Sequence, residues 1–538
     1  MKHLVTFILL LILFNFEGFG QLQTGDNIAI AETTSGKVRG LIRNGIFTYK
    51  GIPYATAKRF EAPTRVESWE GIRSSLNYGP VAPLEDPDTP LNDEMKFFFD
   101  HDLGSQGEDC LALNIWTPSI SDDKKRPVMF WIHGGGYKTG SSQELPSYHG
   151  ENLSKKGDVV VVSINHRLNI LGFLDLSKYG SAHKYSANHS ILDIRTALEW
   201  VQENIGNFEG DPNNVTIFGQ SGGGAKVNNL MAMPSAKGLF HKAINQSGAF
   251  KWALLKKETT QKITEEVLKE LHLTDNEVDS LKTIPYKALQ KAGRKALKTV
   301  ENKMKEDGVP IPGFGFGLDW FPSIDSDLIP YDVFSKEAME LSKNIPLLIG
   351  TVKNEFPVSA FAGMSNATEE QVKGFIQQQK GDKTEAYIKA VKQAYPNDTK
   401  PSDLMDVDLI FRPGAVHQAN IKSTLLNGAP VYMYFFSWKS PVLGGKYKAF
   451  HCMELPFVFD NIARSENMIG SGKNAQILAN KMSLSWINFA HTGNPGHDDL
   501  PNWNPYTKKN GVTIFFDYDC EIRYHHDKEI LDIESSVK

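Results

Sequence analysis

Short apolar runs alternate along the chain with amphipathic helical stretches, the pattern of a mainly parallel sheet covered by helices. Pro127 to Ile132 (PVMFWI) predicts a buried strand that runs straight into His133-Gly134-Gly135-Gly136. Val159 to Ile164, Val215 to Phe218, Ile345 to Ile349 and Val431 to Phe436 predict further strands of the same sheet. Ile194, Ala197, Leu198, Val201 and Ile205 recur at helical spacing and mark one buried helix face. Between about residues 251 and 310 the character shifts to lysine-rich helices, one of them carrying Ile263, Val267, Leu268 and Leu271. Inserted between two sheet strands, this stretch suits a helical cap over the sheet's carboxyl end. Phe314, Phe316 and Trp320 follow it among glycines, where they line a pocket or fill core. There is no internal repeat. One α/β domain over residues 21–538 accounts for the pattern, although 538 residues is long for one domain.

The amino terminus changes the compartment. Lys2 and His3 precede the apolar run Leu4 to Phe14, which is too short to span a bilayer, and Gly18-Phe19-Gly20 offers small residues before Gln21. This layout predicts a secretory signal over residues 1–20, with Glu17 an awkward residue so near the cleavage point, and a mature protein in the periplasm or outside the cell. No later segment has the ~18 unbroken apolar residues of a membrane helix. Composition is ordinary for a globular protein, at 41% hydrophobic and 22% charged residues. A net charge of −5, without a basic stripe interleaved with aromatics, argues against a nucleic-acid partner. The three cysteines, Cys110, Cys452 and Cys520, are too few to hold a large chain together and lack zinc-ligand spacing. Oligomeric state is not legible.

Gly219-Gln220-Ser221-Gly222-Gly223 fits G-x-S-x-G between a strand and a helix-compatible run, Ala225 to Met233. Such a turn holds the serine in a strained conformation with Oγ exposed, and its flanking glycines let the backbone pass. A serine nucleophile needs donors for the oxyanion it creates. The side-chain-free His133-Gly134-Gly135-Gly136 loop can supply backbone N–H groups, and the N–H of Gly222 adds another. A phosphate loop is the rival reading, but no Gly-Lys-Ser/Thr follows.

With these motifs the chain resembles the type-B carboxylesterase and cholinesterase-like family of α/β-hydrolases, from about Ile28 to Tyr518. The resemblance includes Gly51-Ile52-Pro53-Tyr54-Ala55, Glu108 to Leu111 leading to Asn114-Ile115-Trp116-Thr117-Pro118, and Phe208 to Pro212. Trp486 to Gly493 and Leu500-Pro501 with Trp503 and Tyr506 extend it. It implies an α/β-hydrolase fold and a Ser-Glu-His triad: Ser221, Glu355 in Gly350 to Glu355 (GTVKNE), and His451 in His451 to Phe459 (HCMELPFVF). It also implies that Gly135 and Gly136 join Gly222 as oxyanion donors, and that Ser247 in Gln246-Ser247-Gly248 supports the acid. Glu454 reads as a structural neighbour of His451. The implied reaction is two-step acyl transfer on a small-molecule ester, with no metal or organic cofactor.

Departures sharpen this reading. Gln220 stands where cholinesterase-like members carry Glu before the nucleophile, which disfavours choline esters and favours neutral ones. Cys110 occupies a family disulfide position, but the partner position holds Ala82, so that bridge is not expected. A non-catalytic binding or adhesion relative would lack a triad member, and all three are present. A lipase, or a deacylase of carbohydrate or natural-product esters, are the alternative enzymes.

Overall fold

The computed structural model describes residues 22–85, 92–250, 254–313, 317–325 and 327–537. The predicted signal segment, the first residues of the insertion, Phe314 and Phe316 lie outside them.

The sheet strands, in chain order, are β1 (Leu41–Arg43), β2 (Ile46–Pro53), β3 (Ala112–Thr117), β4 (Arg126–Ile132), β5 (Val160–Ile164), β6 (Gly210–Gln220), β7 (Lys242–Gln246), β8 (Leu347–Val352), β9 (Val431–Phe436), β10 (Val512–Phe516) and β11 (Glu521–Tyr524). Their order across this eleven-stranded sheet is β11-β10-β9-β8-β7-β6-β4-β5-β3-β2-β1. From β5 to β10 neighbouring strands are parallel, while both margins are antiparallel. Every residue of β4, β5, β7, β8 and β9 is buried, as expected of parallel strands covered on both faces. A separate three-stranded sheet, Ile30–Thr33, Gly36–Arg39 and Ile72–Ser74, flanks this body.

Helix α1 (His189–Asn204) buries Ile194, Ala197, Leu198 and Val201, the face its periodicity predicts; Ile205, also buried, begins the following 3₁₀ turn. Helix α2 (Gly222–Met231) starts directly after Ser221, earlier than the apolar pattern alone indicates. The lysine-rich region forms α3 (Lys257–Glu270), a 3₁₀ segment (Asp275–Lys282) and α4 (Tyr286–Glu306). Ile263, Val267, Leu268, Leu289, Leu297 and Val300 from this region join one buried cluster with Ile170, Phe173 and strand residues such as Val162 and Ile217. Trp320 is core: its ring lies against Gly293, and its indole N–H donates to Glu85 at 3.0 Å.

The three cysteines are unbridged, and Cys110 and Ala82 are both buried in the same core. Among the described residues no helix is long and apolar enough to cross a membrane.

Candidate active site

The site is assembled at the carboxyl ends of adjacent parallel strands, where open α/β sheets place ligands. His133 to Gly136 follow β4, Ser221 follows β6, Ser247 follows β7, Glu355 follows β8, and His451 comes on the long loop after β9. Register sets these ends level: Ile132 pairs with Gly219, Gln220 with Gln246, and Gln246 with Gly350.

The elbow shows why its sequence is so restricted. Ser221 has φ 57° and ψ −126°, a backbone conformation that costs an L-residue of order 1–3 kcal/mol. Its N–H donates to the Gln246 carbonyl at 2.8 Å, and its carbonyl accepts from Ala225 to open α2. A Cβ on Gly223 would stand 2.1 Å from the Ile132 oxygen, so strand and helix can approach this closely only without a side chain there. Gly222 and Gly136 are pressed together in the same way: a Cβ on Gly222 would lie 2.1 Å from the Gly136 oxygen. Gly135 and Gly136 have φ of +76° and +63°, so the loop turns back over the elbow. The proposed oxyanion donors therefore sit on touching backbones.

Glu355 and His451 meet twice. The His451 backbone N–H donates to the Glu355 carbonyl at 3.0 Å, and the ring Nδ1 donates to Glu355 Oε2 at 2.5 Å. With Nδ1 as the donor, Nε2 is left as the proton acceptor. Glu355 Oε1 accepts the Val352 N–H at 3.1 Å. Burial raises the pKa of this carboxyl to about 8, and the buried Ser247 hydroxyl beside it, without hydrogen-bond geometry, offsets that rise only in part. Burial disfavours charge at both partners, pushing the carboxyl up and the imidazole down. The carboxylates of Glu454 and Asp408 oppose this at His451 and raise it. The imidazole is stacked on Phe411, with ring centres 5.4 Å apart, and tilted against Phe356 at 4.9 Å.

Gln220 joins the elbow to the histidine. Its amide nitrogen lies 3.3 Å from both ring nitrogens of His451, and its oxygen accepts from the Cys452 thiol at 3.2 Å. The half-buried Ser221 hydroxyl makes no hydrogen bond to the described residues; serine–base bonds are often long before substrate arrives. Glu454 accepts from Gln246 at 3.2 Å and does not bond His451, consistent with a structural neighbour.

Sequence reasoning missed two groups. Asp408 reaches the histidine only through folding, from a loop whose backbone N–H groups at Ile410, Phe411 and Arg412 its carboxylate accepts. Lys226 is fully buried five residues after Ser221, and a lysine inside the otherwise uncharged Gly222–Met231 stretch was the available signal.

A strained serine on a strand–turn–helix elbow, a carboxylate–histidine pair and a glycine loop, all at the carboxyl end of one sheet, define an α/β-hydrolase. The chain belongs to the carboxylesterase family, whose sequence model matches residues 27–530. It is 36% identical over 508 residues to para-nitrobenzyl esterase of Bacillus subtilis, covering 93% of this chain and 96% of that protein. It is 32% identical over 498 residues to phenmedipham hydrolase of Pseudarthrobacter oxydans, covering 88% and 92%. Among solved structures, an esterase from Clostridium hathewayi described as hydrolysing aliphatic aromatic polyesters superposes with a TM-score of 0.84. That match is at 36% identity and covers 96% of this chain and all of the other. The activity is carboxylic ester hydrolysis.

Proposed function

We propose that the chain is an exported esterase that cleaves neutral carboxylic esters through an acyl-enzyme on Ser221. The observation that carries this reading is the 2.5 Å bond between His451 Nδ1 and Glu355 Oε2 behind a strained serine elbow. His451 Nε2 takes the Ser221 proton as Oγ attacks the ester carbonyl carbon. Glu355 orients the ring and stabilises the imidazolium, and the N–H groups of Gly135, Gly136 and Gly222 hold the oxyanion. The imidazolium then gives its proton to the departing alcohol. Water repeats the sequence on the acyl-enzyme, releasing the acid and restoring Ser221.

The preference for neutral esters rests on the uncharged Gln220 amide against the histidine. Export rests on the Lys2 to Gly20 layout, and mature protein should begin at Gln21 by amino-terminal sequencing.

The test is Ser221→Ala, which should lower kcat by about 10⁴-fold or more without changing the melting temperature. Near-wild-type turnover in that folded variant would refute the assignment. A panel of p-nitrophenyl esters of increasing acyl length, aromatic esters, acetylated sugars and a choline ester matched to a neutral one would define the substrate. A choline ester that outperforms its neutral match would overturn the preference.

A further inference from the structure

Lys226 is fully buried directly under the glycine loop. Its ammonium donates to the His133 carbonyl oxygen at 3.2 Å and lies 3.5 Å from that of Gly134. Among the described residues no carboxylate comes within ion-pair distance; burial lowers the Lys226 pKa to about 7, and Glu144 opposes this only from farther away. The Tyr137 ring lies 5.6 Å from the ammonium, and its hydroxyl accepts from Asn229. The neighbouring imidazoles of His133 and His166 stack at 4.7 Å and are held neutral by burial and by this same ammonium. An ammonium in such a place is costly, since burial penalises the charge and neutral carbonyls repay only part of it.

Peptide geometry shows what the charge faces. In a trans peptide the C=O and the following N–H point in opposite directions. The Gly134 carbonyl shares a peptide group with the Gly135 N–H, one of the oxyanion donors. The next peptide is fixed from elsewhere, because the Gly135 carbonyl accepts from the Thr139 N–H at 3.1 Å. Gly134 itself faces the elbow, where a Cβ would lie 3.4 Å from the Ser221 Cβ.

We propose that Lys226 is a positioning residue of the oxyanion loop: it grips the carbonyl ends of the peptides at 133 and 134 and, through the Gly134 carbonyl, polarises the Gly135 N–H toward the oxyanion. A hydrogen bond to the carbonyl end of an amide strengthens the N–H at its other end, and a buried positive charge favours the developing negative one. The inference rests on the oxyanion role given above to Gly135, Gly136 and Gly222.

The experiment pairs Lys226→Met, similar in length but uncharged, with an alkyl trifluoromethyl ketone matched in shape to the best ester. Ser221 Oγ adds to the ketone carbon, its proton passes to His451, and the hemiketal oxyanion occupies the loop. Lys226→Met should lose about 10- to 100-fold in kcat with KM nearly unchanged, and the ketone's Ki should rise by the same factor. A merely structural lysine would change melting behaviour without a parallel loss of kcat and Ki. Wild-type kcat and Ki in folded Lys226→Met would overturn the proposal, as would a rise in KM alone. If that variant does not fold, Lys226→Gln keeps a donor without the charge and should show a smaller loss in both quantities; unchanged values there would also overturn it. ¹⁹F NMR of the wild type separates the two layers. A hemiketal that forms with the wild type and disappears in Ser221→Ala leaves the oxyanion reading standing whatever Lys226 does. Absence of that hemiketal would remove the oxyanion reading and this inference together.

Discussion

At His451 two influences act on one proton. Burial among Phe356, Phe411 and the sheet ends favours the neutral imidazole, while the carboxylates of Glu454 and Asp408 favour the cation, and burial is the larger. Only the neutral ring can accept the serine proton, so activity is lost as pH falls through the histidine's pKa. With that pKa lowered, the midpoint of the acid limb of kcat/KM should lie below the reference value of about 6.5. A midpoint at or above 6.5 would contradict the burial argument. Gln220→Glu should act oppositely. A carboxylate replacing an amide that touches the ring favours the imidazolium and should raise the midpoint by roughly 1–3 pH units. The same change should raise the ratio of kcat/KM for a choline ester to that for a neutral ester. Charges ~5 Å apart at an effective dielectric of about 20 interact by about 3 kcal/mol, of which solvent competition leaves part. At this scale the glycines and Ser221 were legible because backbone crowding forbids other residues at fixed spacing. Asp408 and Lys226 were not, because their partners lie 43 and 92 or more positions away along the chain.

The loop carrying His451 is held by the loop carrying Glu355. Asn354 is the clasp: its backbone N–H donates to the Ala449 carbonyl at 3.1 Å, and its side-chain oxygen accepts the Ala449 N–H at 3.2 Å. Its amide nitrogen donates to the Asp406 carbonyl at 2.8 Å. Lys448 adds a buried bond to Asp406 at 2.6 Å. Asn354→Ala orphans two buried backbone groups, which should cost about 2–4 kcal/mol in urea unfolding and lower kcat by loosening the histidine. Wild-type stability and kcat would show that the clasp is redundant. Such loops carry no periodic signal, whereas the buried strands do. Even there the limits are physical. The amino-terminal part of β6 contains Asp211, Pro212, Asn213 and Asn214 and reads as a turn, yet it extends beside β4, where Arg126 pairs with Gly210 across an irregularity. In β8 the apolar run predicts a start at Ile345, but Pro346 delays the strand to Leu347, and Gly350-Thr351 continue it in register with β9.

For the molecule as a whole, the mode of action turns on whether the lysine-rich insertion moves. A lid that opens at a lipid surface must lift its apolar face off the body. Here Ile263, Val267, Leu289, Leu297 and Val300 share one buried cluster with Ile170, Phe173 and the sheet, and Gly293 of α4 lies directly against Trp320 and Ile170. Polar links run the same way: Thr260 and Thr264 of α3 donate to the Asp175 side chain and carbonyl at 2.6 and 2.8 Å, and the Tyr286 hydroxyl donates to the Pro83 carbonyl at 3.1 Å. Each large apolar side chain returned to water costs about 1.5–3 kcal/mol. Exposing even half of this face would therefore consume much of the roughly 5–15 kcal/mol that stabilises a folded domain. The insertion should thus stay seated during turnover, and the enzyme should act on dissolved esters. Initial rates on a short-chain triglyceride, followed through its solubility limit, should rise along one hyperbola and level off. A sharp rise in rate as droplets form would mean that the insertion opens at interfaces, and that the enzyme works as a lipase.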